Sequence, residues 1–189
     1  MAQARTLVAA TLPSRTLGAQ ALIVLGGSAL IALGAQIAVP MWPVPMTLQT
    51  LAVVLVGLTA GSRLGAAAVL TYLAQGAAGL PVFAGGTAGL AILAGPTAGF
   101  LWGFVALAFA AGWLVERGLA RGFWRTLGCT LAVSAALYIP GVLWLTAITP
   151  LTLSGAAGVG MLPFLAGDAV KAVVAALTVT GGWAALSRR

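Results

Sequence analysis

The sequence predicts an all-α integral membrane protein: a bundle of six transmembrane helices with non-helical apolar outer loops capping a ligand pocket. Three observations carry that prediction. Of 189 residues, 61% are hydrophobic and 6% are charged, whereas a soluble domain carries about 25% charged residues. The mean hydropathy is +1.12. The apolar residues fall into six runs, and the arginines fall on one side of the weave those runs imply. The 9 basic and 2 acidic side chains are too few to cover a water-facing surface, and disorder needs the opposite composition.

A transmembrane helix needs about 20 mostly apolar residues. Residues 1–16 read as a cytoplasmic N-terminal segment, with too short an apolar stretch before Pro13 for a secretory signal. The first span is 17–39, without a charge. The second, 47–60, is short and ends at Gly61-Ser62-Arg63; the third is 64–78. The fourth, 98–115, ends at Glu116-Arg117. The fifth, 127–148, contains Pro140, which predicts a kink because proline removes a helix donor. The sixth, 162–186, ends before Arg188-Arg189. The whole chain reads as one transmembrane domain.

Arg5 and Arg15 precede the first span, Arg63 separates the second and third, Arg117, Arg121 and Arg125 separate the fourth and fifth, and Arg188 and Arg189 follow the sixth. The loops near 40–46, 79–97 and 149–161 have no arginine. Basic residues mark the cytoplasmic side, so both termini are expected inside a multi-pass protein of the cytoplasmic membrane. The same pattern removes nucleic acid as the reason for a net charge of +7; the surface partner is membrane lipid.

Two outer loops are unusual. The first, VPMWPVPMTLQT, has Pro40, Pro43 and Pro45 around Trp42. Prolines hold the chain extended, so this loop is expected to dip below the outer surface. The second, Gly79 to Gly99, is rich in glycine and nearly free of polar side chains. Non-helical backbone at membrane depth is tolerated where it is buried or lines a cavity. The loop therefore either folds over a ligand pocket or packs purely for stability.

The sharpest feature is PFLAGDAVKA in the sixth span. Asp168 and Lys171 are the only charges expected in the outer half, three residues apart on one helical face. A charge at that depth costs about 2.5–3.5 kcal/mol and marks a functional site by default; the alternative is a pair that only neutralises itself. Gln49, Tyr72, Thr87 and Thr97 are polar groups expected near the same level, with Phe83, Phe100, Trp42 and Phe164 as flat apolar surfaces. Such a mixture suits a small-molecule pocket. Trp42 reads equally as an interfacial anchor. Small residues at Ser28, Ala29, Ala32, Ala35 and Ala38, and at Gly95, Gly99 and Gly103, suit close helix packing or, on the first span, a partner membrane protein.

The chain has no His, one Cys (Cys129) and one lysine, preceded by valine. It therefore has no phosphate-binding P-loop, no Ser/His/Asp or Cys/His nucleophile, and no cysteine metal cluster. Its two carboxylates, Glu116 and Asp168, are expected at opposite ends and cannot act as an acid/base pair. An enzyme is not expected, nor a metal or cofactor. What remains is a binding or transport protein whose pocket opens outward.

The stretches QIAVPMWPVPMTLQTLAVVLVG, GLPVFAGGTAGLAILAGPTAGFLWGF and PFLAGDAVKA resemble the BioY family, the biotin-binding S components of energy-coupling-factor (ECF) vitamin transporters, over most of residues 30–180. The resemblance implies six transmembrane helices, an outward biotin pocket, and uptake across a bacterial cytoplasmic membrane with a coupling subunit and ATPase subunits as partners. Asp168 and Lys171 match the family's G-D-x-x-K, which implies Lys171 on the valerate carboxylate and Asp168 on a ureido N–H. Gln49 matches its T-L-Q-T; Phe83, Gly85, Gly86 and Thr87 match its apolar loop; Gly95, Pro96 and Thr97 match its G-P-x-x-G. Some relatives carry Asn at Gly85 and Arg at Thr97, which puts more weight on Lys171 here. Ala29, Ala32 and Ala35 fall where such proteins meet the coupling subunit. The alternatives are an S component for another small vitamin, or a structural membrane protein that transports nothing.

Overall fold

The computed structural model describes residues 6–11 and 16–188. Arg5, Arg15 and Arg189, and most of the 1–16 segment, lie outside the described residues. A short helix, α1 (Leu7–Thr11), precedes the first long one. The Thr6 hydroxyl accepts from Ala9 N at its start, at 3.2 Å, and Leu7 packs beside Gly182 near the other end of the chain.

Helix α2 (Leu17–Gln36) starts at Thr16, whose side chain accepts from Ala19 N. It stops three residues before the expected 39, because the chain turns into a hairpin of β1 (Ala38–Val39) and β2 (Met46–Thr47), with Ala38 opposite Thr47. Pro40, Pro43 and Pro45 sit in the connection, where no ladder donor is needed. Leu48 N donates to the carbonyls of Gly34 and Ile37, both at 3.1 Å, tying the hairpin to the end of α2.

Helices α3 (Gln49–Ala60) and α4 (Ser62–Ala77) are joined by Gly61 at φ 94°, a backbone geometry that side chains rarely adopt. Helix α5 (Ala98–Glu116) packs against both and against α6 (Phe123–Ile148). The contacts are close because glycines meet backbone: a Cβ on Gly112 would strike Gly61 and Ser62, and one on Gly57 would strike the Ala108 carbonyl. Gly99 and Gly103 abut Trp144, Pro140 and Leu137 of α6. Helix α6 starts four residues before the expected 127 and runs through Pro140.

The segment 149–161, expected as loop, contains α7 (Leu153–Gly160). Thr152 caps it by accepting from Gly155 N, and Ala156 and Gly160 are buried, Gly160 beside Leu145. Its three glycines hide the apolar periodicity that would have announced a helix. A 3-10 turn at Leu162–Phe164 leads into α8 (Leu165–Ser187).

Among the described residues, four helical stretches have the length and apolarity to cross a membrane: Leu17–Gln36, Ala98–Glu116, Phe123–Ile148 and Leu153–Ser187. Helix α3, with 12 residues, spans about 18 Å, well short of a ~30 Å hydrocarbon core. The outward faces are apolar, with Leu22, Leu25, Leu30 and Leu33 of α2 exposed. The expected docking stripe on α2 is corrected by the packing. Ala29 is exposed and Ala32 half-buried, but Ala35 is 0% exposed. Two steps of three residues turn the helix by about 120° away from one line, so Ala35 points into the bundle.

Candidate ligand-binding site

Asp168 lies in the first turn of α8 and Lys171 one turn on, both buried. The Lys171 ammonium donates to Asp168 Oδ1 at 3.0 Å and to Thr50 Oγ1 at 3.0 Å. Thr50 donates in turn to Asp168 Oδ1 at 3.2 Å, and Tyr138 of α6 donates to Asp168 Oδ2 at 2.5 Å. Three helices, α3, α6 and α8, thus meet on one carboxylate. An ammonium has three N–H donors and a carboxylate about four lone-pair sites. Among the described residues, one donor of Lys171 and one acceptor site of Asp168 are left over.

Both groups line a cavity of about 270 Å³, close to the ~300 Å³ at which small-ligand pockets begin. Its walls are mainly apolar, including Val44, Phe100, Leu101, Phe104, Leu137 and Phe164. Gln49 opens α3 on the same wall. Its backbone N–H donates to Thr47 Oγ1 at 3.2 Å, and Thr47 Oγ1 donates to Gln49 Oε1 at 3.0 Å. Gln49 Nε2 donates to Tyr72 OH at 2.7 Å, which fixes the amide's orientation.

The apolar loop reaches the cavity through Phe83, Ala84, Thr87, Ile92, Pro96 and Thr97. Gly85 and Gly86, at φ 68° and 71°, form the turn between Phe83 and Thr87, closed by Phe83 N donating to Thr87 O at 3.1 Å. Phe83 occupies the space a side chain on Gly76 would need, and it stands edge-on to Tyr72 at 5.5 Å. Gln36 Nε2 donates to the Phe83 carbonyl at 3.1 Å, holding the loop to α2.

Of the residues singled out in the sequence, Asp168, Lys171, Gln49, Phe83, Thr87, Pro96, Thr97, Phe100 and Phe164 line the cavity. Gly85, Gly86, Gly95, Tyr72 and Trp42 do not. Gly85 and Gly86 shape the loop, and the Gly95 carbonyl accepts from Trp144 Nε1 at 3.0 Å. Tyr72 stands behind Gln49, fully buried, whereas Trp42 is 89% exposed in the hairpin turn. The sequence reading missed Tyr138, Thr47 and Thr50. A signal was present: Thr126, Thr130, Ser134 and Tyr138 recur every four residues, a hydroxyl-bearing face in an apolar helix, and all four are buried. Groups that can hydrogen-bond face the interior of a membrane bundle.

Taken together, these features define a multi-pass helical membrane protein with a largely apolar small-molecule cavity and a charged pair in its wall. The sequence model of the BioY family matches residues 6–188, and the chain belongs to that family. It is 41% identical over 150 residues to the biotin transporter BioY of Thermotoga maritima, covering 79% of this chain and 87% of that one. It is 43% identical over 172 residues to the biotin transporter BioY of Rhodobacter capsulatus, covering 82% and 88%. These relatives carry the name of transporters and not of enzymes. The fold matches the crystal structure of the S component for biotin from an ECF-type ABC transporter with a TM-score of 0.79, at 22% identity, over 93% of this chain and 96% of that one.

Proposed function

We propose that the chain is the substrate-binding S subunit of an ECF-type vitamin importer and that its ligand is biotin. The observation that carries this reading is the Asp168–Lys171 pair, which keeps one donor and one acceptor site beside an apolar cavity. Biotin has a carboxylate for the spare N–H of Lys171 and ureido N–H groups for Asp168. Its ring and aliphatic chain suit Phe100, Phe104 and Phe164. Gln49, Thr87 and Thr97 are the polar groups that orient it, and Gly85 and Gly86 set the loop that covers it. Family membership and the names of the relatives support the same ligand.

In this reading the bundle crosses the membrane six times, with α3 and α4 as the second and third crossings and the hairpin at 38–47 dipping in to make up for the short α3. Both termini lie on the arginine-bearing cytoplasmic side, and the cavity faces outward. No phosphate-binding loop exists in the chain, so energy comes from ATPase subunits acting through a coupling subunit. Ala29, with Ala32 at its edge, lies on the face of α2 left free for that subunit.

Titration of purified protein in detergent with biotin tests the proposal. Wild-type protein is expected to bind, and Lys171→Ala to bind at least about tenfold more weakly, since a hydrogen bond to a charged group is worth about 1.5–3 kcal/mol. Other vitamins are expected not to compete with labelled biotin. A second reading, that the pair merely locks α8 in place, is favoured by its closed 3.0 Å contact; it is upheld instead if wild-type protein binds no vitamin and Lys171→Ala fails to fold.

A further inference from the structure

At the end of the bundle remote from the cavity, the stretch from Trp113 to Cys129 carries three arginines that vitamin binding does not use. A shallow, open groove lies between the end of α5 and the start of α6, lined by Leu114, Leu119, Arg125, Gly128 and Cys129. Apart from Arg125 it is apolar. Arg117, Arg121 and Arg125 are all exposed, and among the described residues none of them forms an ion pair. Glu116, the nearest carboxylate in sequence, is engaged elsewhere: Ser62 donates to it through its N–H and its hydroxyl, both at 2.8 Å. Arg117 stacks over Trp113 at 4.8 Å, and Arg121 folds back toward Gly118. Trp113, one residue before Leu114, and Trp124, one residue before Arg125, are half- to largely exposed rings, which is how aromatic side chains mark headgroup depth.

We propose that this groove is a binding site for one anionic phospholipid, its phosphate held by Arg121 and Arg125 and an acyl chain laid over Leu114, Leu119 and the open face of Gly128. Charge complementarity selects the headgroup: among the described residues Arg117, Arg121 and Arg125 form no ion pair and outnumber the one carboxylate beside them, Glu116, and arginine meets phosphate with two parallel donors. The apolar floor selects a lipid over free phosphate, which has no use for it. Basic pockets between helices hold anionic headgroups in this way. The inference is independent of the vitamin reading.

The test is native mass spectrometry of the full chain in detergent, titrated with phosphatidylglycerol or phosphatidylcholine in the absence of biotin. One phosphatidylglycerol is expected to be retained in preference to phosphatidylcholine. Each arginine near the surface contributes about fivefold, so Arg121→Ala with Arg125→Ala is expected to weaken retention about 25-fold. A Cβ on Gly128 would meet nothing within 4 Å, so Gly128→Leu fills the groove without disturbing the helix and is expected to abolish the preference with all arginines present. The proposal is overturned if wild-type protein retains both lipids equally, if the arginine pair or Gly128→Leu behaves as wild type, or if glycerol phosphate without acyl chains competes at the same concentration as the lipid.

Discussion

Tyr138 of α6 donates its hydroxyl to Asp168 Oδ2 of α8 at 2.5 Å, across thirty residues of chain. With Thr50 and Lys171 on Oδ1, that contact holds the carboxylate from two sides and sets where its remaining acceptor site points. Tyr138→Phe removes the donor and keeps the ring. It is expected to lower stability by about 1.5–3 kcal/mol, the worth of a hydrogen bond to a charged acceptor, seen as a lower thermal midpoint in detergent.

Neutralising one member of the pair differs from neutralising both. Lys171→Met alone leaves a buried carboxylate without its cation, and Asp168→Asn alone leaves the reverse; each is expected to cost about 3–5 kcal/mol. The double variant is expected to regain most of that stability, because no unpaired charge stays buried. Biotin affinity is expected to stay lost in the double variant. Melting and titration of the four proteins as one double-mutant cycle give both answers.

Glu116 ends α5 and caps the start of α4 through Ser62. A carboxylate suits the positive end of a helix. Glu116→Ala is expected to lose about 1–2 kcal/mol, and Glu116→Gln less, since an amide oxygen still accepts one bond. Thermal unfolding of the two variants, ranked against wild type, checks this order.

Gly112 and Gly26 make opposite predictions from the same substitution. A Cβ at Gly112 would strike the backbone of Gly61 and Ser62, which cannot rotate away, whereas one at Gly26 meets nothing within 4 Å. Gly112→Ala is expected to destabilise by about 1–3 kcal/mol. Gly26→Ala is expected to be neutral or to stabilise by up to about 1 kcal/mol, the helix preference of alanine over glycine. Midpoints of both in one detergent settle the comparison.

The charged pair was legible because carboxylates and ammoniums are rare and costly in an apolar helix, so Asp168 and Lys171 stood out by type alone. The apolar loop was legible from its glycines and prolines, which exclude helix there. Tyr138, Thr47 and Thr50 were not. A lone tyrosine or threonine near a membrane surface costs little and reads equally as an anchor; for Tyr138 only its four-residue recurrence with Thr126, Thr130 and Ser134 marks the inward face of α6, and Thr47 and Thr50 have no such pattern. Trp42 errs in the other direction: the β1–β2 hairpin, held by Leu48 on the end of α2, carries it out to 89% exposure. Ala35 likewise looked like part of a docking stripe until the rotation of α2 placed it inside.

Composition, run length and the spacing of a few charges determined by themselves that this chain lives in a membrane and that Asp168 and Lys171 stand out together in one apolar helix, because both follow from the transfer energy of individual side chains. The tertiary structure alone decided which hydroxyls close around that pair, which loop residues reach the cavity, and which face of α2 stays free. Those depend on how far each helix is turned about its own axis, and that angle is set by glycine-to-backbone contacts between segments far apart in sequence, such as Gly112 against Gly61 and Ser62.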